Sequence, residues 1–165
     1  MCIRDSRQEY ATAVSNPRTY TDKDLIEAIE SNGIMILRDR WVPIGEDLIL
    51  AGREDASRPS GRMRADELLE KADRNKFIIV ADHQPVEGKE NGAQGADLQL
   101  SGHTHAGQIF PVGCFNECFL GFNYGKYQKD GCSVVVSSGT AGWGFPVRTQ
   151  GRCEYVVIQI KGSRK

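Results

Sequence analysis

The first third of the chain alternates hydrophobic and polar residues with the period of a helix. Residues 19–33 predict an amphipathic helix, with Thr21 as its N-cap and Gly33 as its terminator. The side chains expected on its buried face are Leu25, Ile26 and Ile29. A second helix is predicted over residues 64–75, with Leu68, Leu69 and Ala72 on one side.

Between and after these helices the pattern indicates strands. Residues 34–39 and 76–82 are short apolar runs, and the second run is typical of a strand buried on both faces. Residues 41–52 predict a hairpin that turns at Gly45, Glu46 and Asp47. Residues 53–61 are polar and predict a loop. The alternation of helix and strand favours a layered α/β fold.

The second half of the chain has a different pattern. Residues 88–95 are glycine-rich, and beyond His105 we find no segment that predicts a helix. Residues 131–139 and 153–160 are apolar and predict strands separated by glycine-rich turns. We therefore expect a β-rich sheet from this half, packed on the first half.

Composition narrows the class of protein. The 165 residues suffice for one domain, and a net charge of −1 leaves no basic footprint for nucleic acid. No apolar run approaches the roughly 18 residues of a membrane span. The five cysteines are irregularly spaced, which favours reduced thiols, and Cys132 and Cys153 border apolar runs and are expected to be buried.

The chain has three histidines, and they follow two apolar runs. His83 comes after residues 76–82, whereas His103 and His105 come after residues 96–102. In extended backbone, residues two apart point to the same side, so His103 and His105 are expected to aim at one point. Adjacent strands would bring all three imidazoles to one rim, where they could bind metal. Ordinary loop histidines with local hydrogen bonds are the alternative.

Two other kinds of site compete with this interpretation. A structural zinc module could use His103, His105, Cys114 and Cys118, although it would leave His83 unexplained. A serine hydrolase is disfavoured because the Gly-x-Ser-x-Gly motif is absent. A non-catalytic binding module remains open.

The block GHTHAGQIFP, preceded by DHQP and followed by VSSGTAGWGFPVR, resembles the C-terminal half of a calcineurin-like metallophosphoesterase. The resemblance is strongest to the bacterial membrane-associated phosphodiesterase branch and runs from about Glu9 to Ile160. It implies an α/β (α+β) fold, namely the C-terminal portion of a four-layer α/β/β/α sandwich with mixed β-sheets.

The resemblance also implies a chemistry, the metal-dependent hydrolysis of phosphoesters and most of all phosphodiesters. Two divalent metal ions (Mn, Fe or Zn) would be bridged by an aspartate, with His83 and His103 on one ion and His105 on the other. Arg148 is expected to contact the phosphate, with an ordinary surface arginine as the alternative. The implied substrate is a small-molecule or lipid-linked phosphoester, without nucleic acid. Cytoplasmic location or peripheral membrane association through a preceding segment is expected.

Three motifs of the family are absent from this sequence: Asp-x-His, Gly-Asp-x-x-Asp and Gly-Asn-His-Glu/Asp. They would supply the bridging aspartate, an asparagine ligand and the histidine that acts as general acid. Residues 1–6 resemble the translation of a sequencing-library adapter, and we expect them to be an artefact. Residues 7–165 are then expected to be the C-terminal part of one metallophosphoesterase domain, inactive alone and with exposed sheet edges.

Overall fold

The computed structural model of this chain describes residues 22–57 and 61–162. The predictions made for residues 1–6, for the cap at Thr21 and for Glu9 lie outside the described residues. The helices are α1 (Asp22–Ser31), α2 (Ala65–Leu69), α3 (Gly88–Ala93) and α4 (Val112–Leu120), with a 3₁₀ turn at His105–Gly107. The strands are β1 (Arg40–Ile44), β2 (Leu48–Gly52), β3 (Phe77–Ala81), β4 (Leu98–Ser101), β5 (Gly125–Lys129) and β6 (Cys132–Val136).

The six strands form one mixed sheet in the order β1-β2-β3-β4-β6-β5. The four central strands are parallel, and β1 and β5 pair antiparallel at the two edges. The predicted hairpin over residues 41–52 is confirmed as β1 and β2, with Ile44 opposite Leu48. The mixed α/β class predicted from the sequence is confirmed.

The hydrophobic core lies on one face of this sheet. Alternate residues of β2, β3 and β6 are buried there, and Leu68 and Leu69 of α2 cover them together with Ala72 and Ala96. The other face is only half-buried, as at Ile79. The prediction that residues 76–82 are buried on both faces is therefore wrong, because in the described residues the core helices cover one face alone.

The glycine-rich residues 88–95 contain α3, which the sequence did not predict. Glycine is required here because the helix lies very close to the neighbouring strands. A Cβ atom at Gly88 would lie 2.7 Å from the Val134 side chain, and one at Gly92 would lie 2.7 Å from two backbone carbonyl oxygens. Close packing outweighs the low helix propensity of glycine at these two positions.

Two predicted elements of the first half differ in the structure. Residues 34–39 form no strand, and the positive φ angle of Asp39 (+46°) breaks the extended run before β1. The second helix ends at Leu69 instead of residue 75. The Asp73 carboxylate accepts the backbone N–H of Asn75 at 3.0 Å, a turn that competes with helical hydrogen bonding.

Four predictions for the second half are wrong. Residues 112–120 form α4, whose apolar side chains are largely exposed and so lack the one-sided pattern that predicts a helix. Residues 153–160 form no strand and have no ladder partner within the described residues, and Cys153 is exposed. No second sheet forms in the described part of the chain, because its six strands all join the first.

Candidate metal centre

Three loops leave the sheet at the carboxyl ends of adjacent parallel strands. Residues 82–87 follow β3, residues 102–111 follow β4, and residues 137–148 follow β6. The carboxyl edge of a parallel sheet is where α/β proteins bind ligands. The predicted histidines and Arg148 all lie in these three loops.

The structure brings His83 and His103 into contact. The Nε2 atom of His83 lies 3.1 Å from the Nδ1 atom of His103, and the rings meet edge to face. The loops are also joined through backbone, because the Gly102 N–H donates to the His83 carbonyl oxygen at 3.0 Å. This is hydrogen-bond distance, and it also matches the separation of about 3 Å between two nitrogen ligands that each lie about 2.0–2.1 Å from one ion.

His105 lies apart from this pair. Its Nδ1 atom is 3.2 Å from the carbonyl oxygen of Ala141. A carbonyl oxygen can only accept, so Nδ1 carries the hydrogen, and in the neutral ring the lone pair then lies on Nε2. Metal-binding histidines characteristically donate their second ring nitrogen to such an oxygen.

The prediction that His103 and His105 sit on extended backbone is wrong. Both have positive φ angles, +68° and +49°, and Ala106 and Gln108 do as well. The chain turns left-handed here, so the two imidazoles do not share a face as they would in a strand. Left-handed backbone costs about 1–2 kcal/mol for each non-glycine residue, and the surrounding contacts must offset that cost.

The loop that carries His83 is anchored by the two residues that flank the histidine. The Asp82 carboxylate pairs with Arg62 at 2.8 Å, and both side chains are buried. The Gln84 side-chain amide donates to Asp55 at 3.0 Å and accepts from the Ala56 N–H at 3.2 Å. His83 is therefore held between two anchored neighbours.

A second arginine extends this buried network. The fully buried Arg53 side chain donates to Asn91 at 3.0 Å and pairs with Glu87 at 2.8 Å. Glu87 also pairs with Arg62 at 3.1 Å. Burial raises the pKa of Asp82 to about 6, although Arg62 and Arg53 act in the opposite direction. The sequence analysis missed this network, whose only signal is the mixture of arginines and acidic residues in 53–64.

Arg148 contacts backbone in the metal-centre loops. Its guanidinium donates to the carbonyl oxygens of His105 at 2.7 Å and Ala141 at 3.2 Å, and lies 3.4 Å from that of Ser138. Its predicted contact with phosphate stays a prediction. Gln108, which the sequence analysis also missed, holds the same segment through its side-chain amide.

The zinc-module alternative has no assembled ligand set. Cys114 and Cys118 lie exposed on α4 as free thiols. Across residues 22–57 and 61–162, no three or more His, Cys, Asp or Glu side chains are grouped so that they could hold a metal ion. His103, His105, Cys114 and Cys118 thus do not converge, and the centre consists of a histidine pair with a separate third histidine.

Comparison with known proteins gives several relatives. The chain is 33% identical over 145 residues, 84% of its length, to an uncharacterized metallophosphoesterase of Aquifex aeolicus. It is 32% identical over 82% of its length to a zebrafish (Danio rerio) transmembrane protein with metallophosphoesterase domain. It is 36% identical over 58% of its length to an uncharacterized metallophosphoesterase of Helicobacter pylori.

The match covers only part of each relative. The chain spans 55% of the Aquifex protein, 32% of the zebrafish protein and 26% of the Helicobacter protein. No family model matches the chain, and no solved structure matches it. Within the described residues, no helix has the length and apolar character needed to span a bilayer.

Proposed function

This chain belongs to the metallophosphoesterases, and from that premise we propose that it carries histidine ligands for two divalent metal ions that act in phosphodiester hydrolysis. The observation that supports this most is the contact between His83 and His103 at the ends of β3 and β4. They would hold one ion, and His105 would hold the other. Mn, Fe and Zn all accept imidazole ligands.

Each part of the site has a separate task. Bound divalent ions supply positive charge to the phosphate oxygens and to the attacking water. The histidine pair would hold one ion at the carboxyl edge of the sheet. The Ala141 carbonyl fixes the ring of His105, whose Nε2 atom would bind the second ion.

Three neutral imidazoles are a sparse ligand set for two dications. Within the described residues, no three or more His, Cys, Asp or Glu side chains are grouped around one point, so the charge of each ion would be poorly compensated. We therefore propose that the 165-residue chain does not turn over substrate alone. The remaining ligands and the general acid would come from a region like the part of the Aquifex relative that the chain does not match.

The substrate class and location are proposals as well. We favour a small-molecule or lipid-linked phosphoester over nucleic acid, because the chain carries 21 basic and 22 acidic side chains. Peripheral membrane association would depend on a segment outside the described residues.

The proposal can be tested in a chimera that joins the unmatched half of the Aquifex relative to residues 22–165 of this chain. The assay is nitrophenol release from bis(p-nitrophenyl) phosphate with Mn²⁺, with and without chelator. We expect chelator-sensitive turnover by the chimera and none by the 165-residue chain. His103→Ala should lower turnover by about 10–100-fold or more.

The control is Lys126→Ala, an exposed change on the edge strand β5. It should leave turnover unchanged. Activity of the chimera that is indifferent to His83→Ala, His103→Ala and His105→Ala would contradict the ligand assignment. A preference for the mononitrophenyl ester over the diester would contradict the phosphodiester proposal alone.

A further inference from the structure

Residues 141–148 contact the His105 turn through hydrogen bonds, and apolar packing does not hold them there. Trp143, Phe145 and Val147 are exposed by 58%, 69% and 53%. Side chains this exposed contribute little burial energy to fix a loop. The segment must be fixed by other contacts.

Gln108 supplies most of those contacts. Its side chain is buried, and its Nε2 atom lies 2.8, 3.1 and 3.1 Å from the carbonyl oxygens of Trp143, Phe145 and Val147, so that its two hydrogens are shared among three acceptors. Its Oε1 atom accepts the Trp143 N–H. Its backbone carbonyl accepts the N–H groups of Thr149 and Gln150, both at 2.9 Å. One residue therefore binds the whole length of the segment.

Arg148 joins the segment to the backbone of His105. Its Nη1 atom donates to the His105 carbonyl oxygen at 2.7 Å, and its Nη2 atom donates to the Ala141 carbonyl oxygen at 3.2 Å. The same Ala141 oxygen accepts the Nδ1–H of His105. Both the backbone and the ring of His105 are thus held by the segment.

The backbone at this point needs such support. His105, Ala106 and Gln108 are all left-handed although none is glycine. Without contacts that favour it, this conformation relaxes to a lower-energy one. Gln108 is itself one of these left-handed residues, and Arg148 donates to the backbone of another, His105.

We propose that Gln108 and Arg148 are positioning residues, which hold residues 141–148 against the His105 turn and thereby keep the His105 imidazole in its Nδ1–H form. The inference rests on the proposed function, since it is Nε2 that a metal ion would bind. It gives Arg148 a task different from the phosphate contact predicted from the sequence. Its guanidinium orients a ligand through backbone carbonyl oxygens.

The test is nitrogen-15 NMR of the imidazoles in the metal-free 165-residue chain, at a pH where they are neutral. Wild type should show His105 predominantly as the Nδ1–H tautomer. In Gln108→Met and Arg148→Met the ratio should invert toward Nε2–H, the form that a histidine without a partner favours. The matched control is Arg152→Met, an exposed arginine four residues further on, which should keep the wild-type ratio.

Arg148→Lys guards against variants that fail to fold, because lysine keeps a cationic donor that can reach the His105 carbonyl oxygen. It should retain more of the Nδ1–H form than Arg148→Met. Wild-type His105 in the Nε2–H form would overturn the proposal without any variant. So would an unchanged tautomer ratio in folded Gln108→Met or Arg148→Met. Should those two variants unfold, a tautomer ratio in Arg148→Lys no different from that in Arg152→Met would overturn it.

These spectra need no metal and no turnover. A chimera without activity whose chain shows the expected tautomers would contradict the proposed function and leave the positioning role standing. An active chimera with unchanged tautomers in the folded variants would contradict the positioning role and leave the proposed function standing.

Discussion

The two loops that present the candidate ligands are held in place by different forces. The His83 loop is anchored by buried charges, chiefly the pair of Arg62 and Asp82. The His105 turn is anchored by neutral and cationic donors on backbone carbonyl oxygens, supplied by Gln108 and Arg148. One edge of the sheet thus carries one loop whose stability depends on ionisation and another whose stability depends on hydrogen-bond geometry.

The difference has consequences for energy and for pH. Removing one partner of a buried ion pair leaves an uncompensated charge in the interior, which is strongly destabilising. Removing a neutral hydrogen bond costs less, and the cost does not vary with pH in the range where neither group titrates. Substitutions in the two loops should therefore separate by size and by pH dependence.

The largest effect is expected for Arg62→Met. At about pH 8 this change leaves the Asp82 carboxylate buried without its closest cation, and we expect a loss of about 3–5 kcal/mol in the free energy of unfolding. Urea denaturation followed by circular dichroism measures it. Arg64→Met is the control, because Arg64 is exposed and its ion pair is with exposed Asp66. Its effect should be far smaller.

The pH dependence of that loss follows from the raised pKa of Asp82. Burial lifts it to about 6, above the roughly 3.9 of an unfolded aspartate, so the folded state keeps its proton to higher pH. Asp82 therefore contributes stability that is complete below about pH 4 and is lost as pH rises through about 6. Without Arg62 the pKa rises further, and the deficit of Arg62→Met should shrink toward about pH 5. A deficit that grows on acidification would contradict the account.

A medium effect is expected for Gln84→Met, which keeps side-chain length and removes hydrogen bonds to Asp55 and Ala56. The buried Asp55 carboxylate loses one of its hydrogen-bond donors, so the loss should be about 1–3 kcal/mol. Gln128→Met, an exposed position on β5, is the matched control. A loss as large as that of Arg62→Met would mean that the buried ion pair is not the main source of stability in the His83 loop.

The smallest effect is expected for Ser138→Ala, in the loop after β6. The buried Ser138 hydroxyl donates to the carbonyl oxygen of Arg152, an exposed residue whose oxygen water can reach. We expect a loss of about 1 kcal/mol, equal at about pH 5 and about pH 8. A clear pH dependence would show that this side of the centre is coupled to ionisation after all.

Much of the sheet could be predicted from the sequence, because its signals are local. The hairpin of β1 and β2 follows from a turn between two apolar runs, and β3 follows from five consecutive apolar residues. Adjacent parallel strands place the residues after β3 and β4 side by side, and for this reason the sequence predicts that His83 and His103 lie at one rim of the sheet. Their contact follows from that adjacency.

Other features could not be predicted because they depend on contacts between distant residues. Nothing local marks Arg62 as the partner of Asp82, which lies 20 positions away, or Gln108 as the residue that binds 143–147. The left-handed backbone at His103 and His105 is also set by the surrounding loops, since neither residue favours it alone. The glycines of α3 predict a loop when only the local sequence is considered. Their role in close packing depends on the neighbouring strands, which the local sequence does not identify.

The most direct test of the central claim is the position of bound metal. Crystals of the chimera soaked with Mn²⁺ would locate the ions by anomalous diffraction at the manganese edge. The account predicts one ion within ligand distance of both His83 and His103, and a second ion within ligand distance of His105 Nε2. An ion bound by Cys114 and Cys118, or manganese sites that touch none of the three histidines, would contradict it.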